Sequence, residues 1–288
     1  MSNHVPLIVT MDLEIARDHD LGAQAEILER LHLDLERLRL PLTIFTTAEA
    51  ARAFPLLLAK LRSAGHEIGC HGHDHAPGED FSRLSETEAR RALTRATDGI
   101  RRVVDAEPRS FRGPWLATSA TTQRVLLELG YRSDFSPCPQ RLDFFRTRGG
   151  TFRWLGAPRG PYHPAPDDPF RRGSSPLLVV PLSCLGVPFL SGLLYLAGVP
   201  PVRALFRALH AEARRTGRPI VYLFHSYEFC PRARDRSHDA PDGRPWLHRL
   251  YAADPEERYR RNLELLETML AAPGIEPLVA ESLVRRSA

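Results

Sequence analysis

Three of the chain's twelve histidines lie within five residues, at His71, His73 and His75. His71 and His75 are four residues apart, so one helical turn would bring their imidazoles to the same side, as two ligands of one metal ion require. His73 is two residues from each of them, and we expect it to point away. Because three histidines on a surface loop would show the same spacing, a metal site needs further ligands from elsewhere in the chain.

Two carboxylates, Asp12 and Glu14, follow the apolar run Pro6 to Met11. Alternate residues of a strand leave on the same face, with their Cα atoms about 7 Å apart. Two histidines and one carboxylate make a metal site that keeps positions open for water, and a second carboxylate beside it can act as a base. The alternative is a pair of acids at a sheet edge that forms salt bridges with arginines.

Other polar residues end predicted strands further along the chain, at Arg112, Asp134 and His225. A neighbouring cation lowers the pKa of a carboxyl group, so Arg112 could keep one of the acids ionised. A histidine that ends an apolar run is more often a satisfied core residue. If it shares a rim with the other polar residues, His225 becomes a candidate general acid.

The segments before these residues alternate between apolar strand patterns and helical spacing. Strands are predicted at 6–11, 42–46, 66–70, 110–112, 131–134, 177–180 and 219–224, and helices at 21–38, 48–64, 85–105, 118–130, 201–216 and 255–271. This alternation predicts a parallel sheet with helices outside it. In a closed or nearly closed parallel barrel, the carboxyl ends of all strands lie on one rim. The candidate residues would therefore converge there.

Two stretches depart from this pattern within what we interpret as a single domain spanning 1–288. Residues 137–176 are rich in Pro, Arg and Gly and are predicted to form a long irregular loop, with one short strand near 152–154. Residues 173–202 carry no charged side chain, but five prolines argue against one membrane-spanning helix. A core strand followed by a hydrophobic loop is favoured there, and a substrate groove or a membrane-facing patch stays open.

Composition excludes several classes of protein. The chain has 288 residues and a net charge of +4, but Lys60 is its one lysine and no basic run with interleaved aromatics appears, so we expect no nucleic-acid partner. The four cysteines lie far apart without a C-x-x-C pair, which is typical of free thiols in a reducing compartment. The first residues do not resemble a signal peptide, and a cytoplasmic location is expected.

Taken together, these motifs resemble those of the polysaccharide deacetylases of the NodB-homology type. The motifs, in chain order, are Thr10-Met11-Asp12-Leu13-Glu14, His71-Gly72-His73-Asp74-His75, Arg112-Gly113-Pro114-Trp115, Asp134-Phe135-Ser136 and Leu223-Phe224-His225. Each is weak alone, whereas five in order are strong. The resemblance implies an α/β fold, a distorted (β/α) barrel with about seven parallel strands.

The resemblance also implies a metal-dependent hydrolase that removes an N-acetyl group from an amino sugar. In the usual first motif, T-F-D-D-G, the second Asp binds the metal, but Leu13 stands at that position here and cannot be a ligand. The ligand role passes to Glu14, beside His71 and His75, for a divalent metal of which zinc is favoured. Asp12 is then the catalytic base.

The remaining roles follow from the same resemblance. Arg112 would hold the base, His225 would act as general acid, Asp134 would orient that acid, and Trp115 with Pro114 would line the sugar groove. Family branches with this variant first motif resemble enzymes of surface-glycan or lipid-linked sugar pathways. The expected partner is therefore an N-acetylated saccharide that could be lipid-linked, with peripheral membrane contact through the apolar segment 173–202.

Two other functions stay open at this point. One is a related C–N hydrolase that acts on a formyl group or a small cyclic amide, and a substrate panel would separate it. The other is a catalytically silent carbohydrate-binding module, against which the intact Asp12 and His225 argue. Elemental analysis would identify that module by the absence of bound metal.

Overall fold

Strands alternate with helices along the chain, as predicted, and seven of the strands form one curled parallel sheet. The structure is a computed structural model that describes residues 4–15, 20–141, 151–230 and 254–287. The strands of this part of the chain are β1 (Val5–Leu13), β2 (Leu42–Thr46), β3 (Glu67–Cys70), β4 (Ser110–Phe111), β5 (Ser133–Asp134), β6 (Pro164–Ala165), β7 (Asp168–Arg172), β8 (Leu178–Val179), β9 (Cys184–Leu185), β10 (Val187–Pro188), β11 (Ile220–His225) and β12 (Ile275–Pro277). The main sheet has the order β11-β1-β2-β3-β4-β5-β8, and β12 pairs with β1 in addition. The predicted distorted (β/α) barrel with about seven parallel strands is confirmed, and its sheet is curled into a half-barrel.

Helices cover this sheet and connect its strands. Their bounds are α1 (Leu21–Leu38), α2 (Ala48–Ala53), α3 (Pro55–Ser63), α4 (Glu86–Val104), α5 (Ala120–Glu128), α6 (Ser191–Ala197), α7 (Val199–Thr216), α8 (Pro255–Leu270) and α9 (Ala280–Ser287), with short 3₁₀ helices at Pro77–Glu79, Pro114–Leu116, Phe152–Gly156 and Ser226–Phe229. The predicted capping box at the start of α4 is confirmed, because Ser85 and Glu88 each bond the other's backbone N–H.

The predicted single helix over 48–64 is wrong. Phe54 leaves the helical region, with φ −125° and ψ 50°, and divides the segment into α2 and α3. Pro55 is the physical reason, because its ring clashes with a helical conformation of the residue before it. The second helix then starts with Pro55 at its first position, where no backbone N–H is needed.

The strand register places the candidate residues in one row. Asp12 on β1 pairs with His225 on β11. Further along the sheet Cys70, which precedes the histidine cluster, pairs with Phe111, and Phe111 pairs with Asp134. Since all these strands are parallel, their carboxyl ends lie at one rim of the half-barrel.

Both faces of the central strand are buried, as is typical of parallel sheets. Leu7, Val9, Met11 and Leu13 belong to the core cluster that also includes residues of the surrounding helices. Ile8 belongs to a second cluster, so the even-numbered residues of β1, including Asp12, face the other side. Leu13 is fully buried among apolar residues, which explains why that position carries no ligand.

The two irregular stretches contain more structure than predicted. The strand expected near 152–154 is wrong: those residues begin a 3₁₀ helix, which the Thr151 hydroxyl caps and in which Trp154 is fully buried. Residues 142–150 of the predicted loop lie outside the described residues, and β6 and β7 form an unpredicted hairpin within it. The apolar segment 173–202 contains β8, β9, β10 and α6. Among the described helices, none combines the length and the hydropathy that a membrane span requires.

Candidate active site

Three potential metal ligands meet at the carboxyl rim of the sheet. Glu14, His71 and His75 each offer one ligand atom, and these atoms all lie within 4.8 Å of one another. His75 Nε2 lies 3.4 Å from Glu14 Oε2. Glu14 follows the end of β1, and both histidines follow the end of β3, so the set comes from two strand ends that β2 separates in the sheet.

A backbone carbonyl fixes the orientation of the His71 ring. His71 Nδ1 lies 2.8 Å from the carbonyl oxygen of Arg112. Because a carbonyl only accepts, Nδ1 carries the proton and Nε2 keeps its lone pair. Burial lowers the pKa of His71, against the opposing effect of Asp12, so the ring is neutral at pH 7. This is the state in which an imidazole can bind a metal.

Glu79 holds the loop that carries the histidines. Its carboxylate accepts hydrogen bonds from the backbone N–H groups of His73, Asp74 and His75, at 2.7 to 3.1 Å. Gly72 has φ +82°, and a Cβ there would lie 2.8 Å from Glu79 Oε2. The tight loop therefore needs both the glycine and the buried acid. The sequence analysis did not identify Glu79, although an acid four residues after His75 was visible.

The aromatic residue of the third motif packs against one of the two histidines. The rings of Trp115 and His75 meet edge to face, with centroids 4.5 Å apart. Trp115 has φ 55°, a left-handed conformation that is uncommon for a residue with a side chain. Pro114 is buried beside Gly72. Burial, together with the neighbouring His71, lowers the pKa of His75 to about 3.

The charge on Glu14 depends on what occupies the space between the ligands. Burial raises the pKa of Glu14 to about 7, against the opposing effect of His225. A cation between the carboxylate and the two imidazoles would offset this cost of burying a charge. One carboxylate oxygen and two imidazole nitrogens are also a donor set that divalent transition metals prefer. The residues present therefore fit a metal ion.

The second carboxylate, Asp12, is paired with the buried Arg112. Arg112 Nη1 donates to Asp12 Oδ1 at 2.8 Å and to Thr10 Oγ1 at 2.9 Å, and the guanidinium lies over the ring of Phe45. Burial alone would raise the pKa of Asp12, but Arg112 and two histidines outweigh it and lower the pKa below its usual value. Asp12 Oδ2 lies 3.7 Å from His71 Nε2, so this ionised acid lies next to the ligand cluster.

On the opposite side of Asp12 is His225, whose ring is held by Glu228. His225 Nε2 lies 4.0 Å from Asp12 Oδ2, and its Nδ1 lies 3.1 Å from Glu228 Oε1. Glu228 also accepts from the hydroxyl groups of Ser191 and Tyr195 on α6. The apolar segment 173–202 thus reaches the site through this helix.

Glu228 also sets the protonation of the histidine. Burial alone would lower the pKa of His225, but the hydrogen bond and charge of Glu228, with Asp12 and Glu14, raise it to about 9. Without a bound cation the ring is therefore protonated at neutral pH. No sequence pattern predicted the role of Glu228; an acid three residues after the histidine was the available signal.

Asp134 does not reach His225. Its carboxylate accepts hydrogen bonds from Thr118 Oγ1, Gln123 Nε2 and both the N–H and the hydroxyl of Ser136. The Ser136 hydroxyl in turn accepts from the backbone N–H of the residue after Arg112. Asp134 therefore holds the loop that carries Arg112, and Glu228 occupies the position beside His225 that we expected of Asp134.

His73 also stays outside the ligand cluster, as expected. It is buried, and its backbone carbonyl accepts from Glu49 N at 2.9 Å. Its Nδ1 has no hydrogen-bond partner within the described part of the chain. The cluster of potential ligand atoms contains His71 and His75 but not His73.

With the geometry established, the chain can be compared with known proteins. Residues 20–133 match the family model for polysaccharide deacetylases, which confirms the resemblance found in the motifs. A peptidoglycan deacetylase of Helicobacter pylori is 26% identical over 101 residues, which cover 35% of this chain and 33% of that protein. The chain thus matches about a third of the length of its curated relatives. Asp12, Glu14 and His225 lie outside the residues that the family model matches.

Solved structures extend the similarity of the fold to nearly the whole chain. A protein assigned to the polysaccharide deacetylases from Mycobacterium smegmatis has a TM-score of 0.65 at 17% identity, covering 99% of this chain and 91% of its own. An allantoinase has a TM-score of 0.61 at 15% identity, covering 98% and 89%. At these identities the similarity establishes the fold, and the function has to be argued from the site.

Proposed function

We propose that the protein hydrolyses the N-acetyl group of an amino sugar within a saccharide. The observation that carries this proposal is the juxtaposition of Asp12, hydrogen-bonded to Arg112, and His225, hydrogen-bonded to Glu228, with Asp12 Oδ2 4.0 Å from His225 Nε2. Both face the cluster of Glu14, His71 and His75. An amide needs a base for the attacking water and an acid for the departing nitrogen, and these two residues have the corresponding charge states.

Glu14, His71 and His75 would hold a divalent metal, with zinc as the favoured ion because of its affinity for imidazole and carboxylate ligands. When bound, such an ion polarises an acyl carbonyl and lowers the pKa of water. The Arg112 carbonyl keeps the His71 lone pair available for it. Glu79 holds the backbone of the loop so that both imidazoles face the same space.

The proton transfers fall to Asp12 and His225. Asp12 takes the proton of the attacking water, and the Arg112 guanidinium keeps it ionised for this step. His225 then donates its Nε2 proton to the amine nitrogen as the C–N bond breaks. Its Nδ1 stays bonded to Glu228, which stabilises the charged ring until the transfer. Acetate and a free amino sugar are the products.

The substrate would lie across the loop that carries Trp115, whose ring borders His75. Pro114 supports the same wall of the groove. The segment 173–202 exposes three apolar side chains, at Leu185, Val187 and Leu196, and this supports a lipid-linked saccharide and peripheral membrane contact as part of the proposal. All four cysteines are buried thiols that form no disulfide, which supports a reducing, cytoplasmic setting for a surface-glycan pathway.

The proposal is tested by acetate release from N-acetylated oligosaccharides with and without added Zn²⁺. The same assay should include an N-formylated sugar and a small cyclic amide. Zinc-dependent acetate release supports the proposal. Formate release or ring opening without acetate would assign the chain to another class of C–N hydrolase. A protein that binds the saccharide but binds no zinc and releases no acetate would be a binding module.

A further inference from the structure

The proposed carboxylate ligand lies just beyond the end of its strand. β1 ends at Leu13, where it pairs with Thr46 of β2, and its last pairing with β11 joins Asp12 to His225. Glu14 is therefore outside both ladders. A ligand at position 13 would have had its backbone fixed by the sheet, whereas a ligand at position 14 needs another support.

That support comes from Gln24, a fully buried residue of α1. Its Nε2 donates to the backbone carbonyl of Glu14 at 2.9 Å and to Ser226 Oγ at 3.0 Å. Because the Glu14 carbonyl only accepts, the amide nitrogen has to face it, which determines the orientation of the side-chain amide. One NH₂ group thus connects the backbone of the proposed ligand to the residue that follows His225.

The other end of the same amide points to a role beyond packing. Gln24 Oε1 is buried without a hydrogen-bond partner in the described residues. An unsatisfied buried acceptor lowers stability, and an apolar side chain of similar size would avoid this. A residue that served the core alone would not need an amide here, whereas a residue that holds Glu14 needs its donor.

We propose that Gln24 is a positioning residue for the metal site. It holds the backbone of Glu14 in a fixed position relative to Ser226, the residue that follows His225. This inference rests on the proposed function, because it takes Glu14 as a metal ligand. Partners that orient a ligand are typically worth about 10- to 100-fold in metal affinity. Gln24 would act through the backbone of the ligand, at the place where the first motif departs from its usual form.

The test measures Zn²⁺ affinity by competition with a chromophoric chelator, using the full chain freed of metal. Gln24→Met keeps the size of the side chain and removes the donor. The matched control is Asn262→Leu, because Asn262 is also a buried amide, but its Oδ1 accepts from the hydroxyl of Tyr222, away from the proposed ligands. We expect Gln24→Met to weaken Zn²⁺ binding about 10- to 100-fold. The control should stay within about twofold of the unchanged protein.

Two further variants keep the outcome decisive. Gln24→Asn retains an amide that is too short to reach Glu14, so it should also weaken binding, and it replaces Gln24→Met if that variant does not fold by circular dichroism. Glu14→Ala should lose tight binding. If Glu14→Ala loses zinc but both Gln24 variants bind like the unchanged protein, the inference is wrong and the proposed function stands. If the unchanged protein binds no zinc, or Glu14→Ala binds it fully, both are overturned.

Discussion

Two pairs of neighbouring histidines lie in the described part of the chain, and one ring of each pair makes a backbone hydrogen bond of opposite direction. His32 and His66 meet edge to face with ring centroids 6.2 Å apart, and His71 and His75 lie 5.3 Å apart. In the first pair, His66 Nδ1 accepts a hydrogen bond from the backbone N–H of Leu42 at 3.0 Å. In the second, His71 Nδ1 donates to a carbonyl oxygen at 2.8 Å.

The direction of that bond separates a structural histidine from a potential ligand. At His66 the backbone takes up the lone pair of Nδ1, and the ring supports the start of β2. At His71 the backbone takes up the proton, and the lone pair of Nε2 is free to face Glu14 and Asp12. Burial lowers the pKa in both places, so burial alone does not identify a metal site. The group bonded to Nδ1 distinguishes the two cases, because a carbonyl partner leaves the lone pair of Nε2 available to a metal.

The largest expected effect is on Zn²⁺ binding, which should be lost on substitution of His71 but not on substitution of His66. His71→Ala removes one of the three proposed ligands and should weaken Zn²⁺ binding by more than the roughly 100-fold that a supporting residue can cost. His66→Ala leaves all three ligands in place, and its Zn²⁺ affinity should stay within about threefold of the unchanged protein. Metal content after gel filtration and chelator competition would measure both.

The opposite pattern would break the comparison. If His71→Ala kept a full equivalent of zinc, or if His66→Ala lost it while remaining folded, the direction of the backbone hydrogen bond would not distinguish the two pairs. Far-UV circular dichroism of each variant provides the control for folding.

A smaller effect is expected at His225, the proposed general acid, whose Nδ1 is bonded to the carboxylate of Glu228. Glu228→Gln keeps the shape of the side chain and removes its charge, so the pKa of His225 should fall. We expect the rate of acetate release to drop about tenfold, less than the loss of a whole general acid, which contributes roughly 10²- to 10⁴-fold. Steady-state kinetics would show the drop in kcat with KM nearly unchanged.

An unchanged kcat would mean that Glu228 does not influence the acid. Ser191→Ala is the matched comparison, because it removes one hydrogen bond to Glu228 and leaves the charge in place. Its kcat should fall less than that of Glu228→Gln.

Much of the site could be predicted from the sequence because its residues end strands. In a parallel sheet that position alone brings Asp12, His71, Arg112 and His225 to one rim, whatever the loops do. The alternation of side chains along β1 likewise separates Asp12 from Leu13. These predictions depend on local patterns and on one general rule of topology.

The supporting residues could not be predicted in this way. Glu79 and Glu228 act through short turns in which their carboxylates bend back to backbone N–H groups or a ring nitrogen, and an acid in a polar loop has no periodicity to reveal this. Gln24 is a single polar residue in an amphipathic helix. The family resemblance implied that Asp134 orients His225, but its hydrogen bonds go to Thr118 and Ser136 instead.

For the pair His32 and His66, the expected effect is on the free energy of unfolding. His66→Ala leaves the buried N–H of Leu42 without an acceptor and should lower the free energy of unfolding by roughly 2–3 kcal/mol. Urea denaturation of the metal-free protein at pH 7.5 would measure it. His66→Asn offers an oxygen at about the same place and should recover most of the loss; equal losses for both variants would contradict the role of this hydrogen bond.

The smallest expected effect is on the way the free energy of unfolding depends on pH, and it comes from His66. Burial, with a contribution from His32, lowers the pKa of His66 from 6.5 to about 4. The unfolded chain therefore binds the proton first as the pH falls, so the stabilising contribution is full above pH 6.5 and declines towards pH 4. By pH 5 the unchanged protein should lose about 1–2 kcal/mol more than His66→Asn does. If the free energy of unfolding of the unchanged protein and of His66→Asn fell in parallel between pH 7 and pH 5, the lowered pKa of His66 would be contradicted.

The division of labour between the two carboxylates is tested most directly by measuring zinc content and acetate release on the same preparation of Asp12→Asn. The asparagine cannot accept the proton of the attacking water, but Glu14, His71 and His75 are all retained. We predict about one equivalent of zinc and a rate reduced by at least roughly 10²-fold. Acetate release at the unchanged rate, with zinc bound, would contradict the assignment of Asp12 as the base.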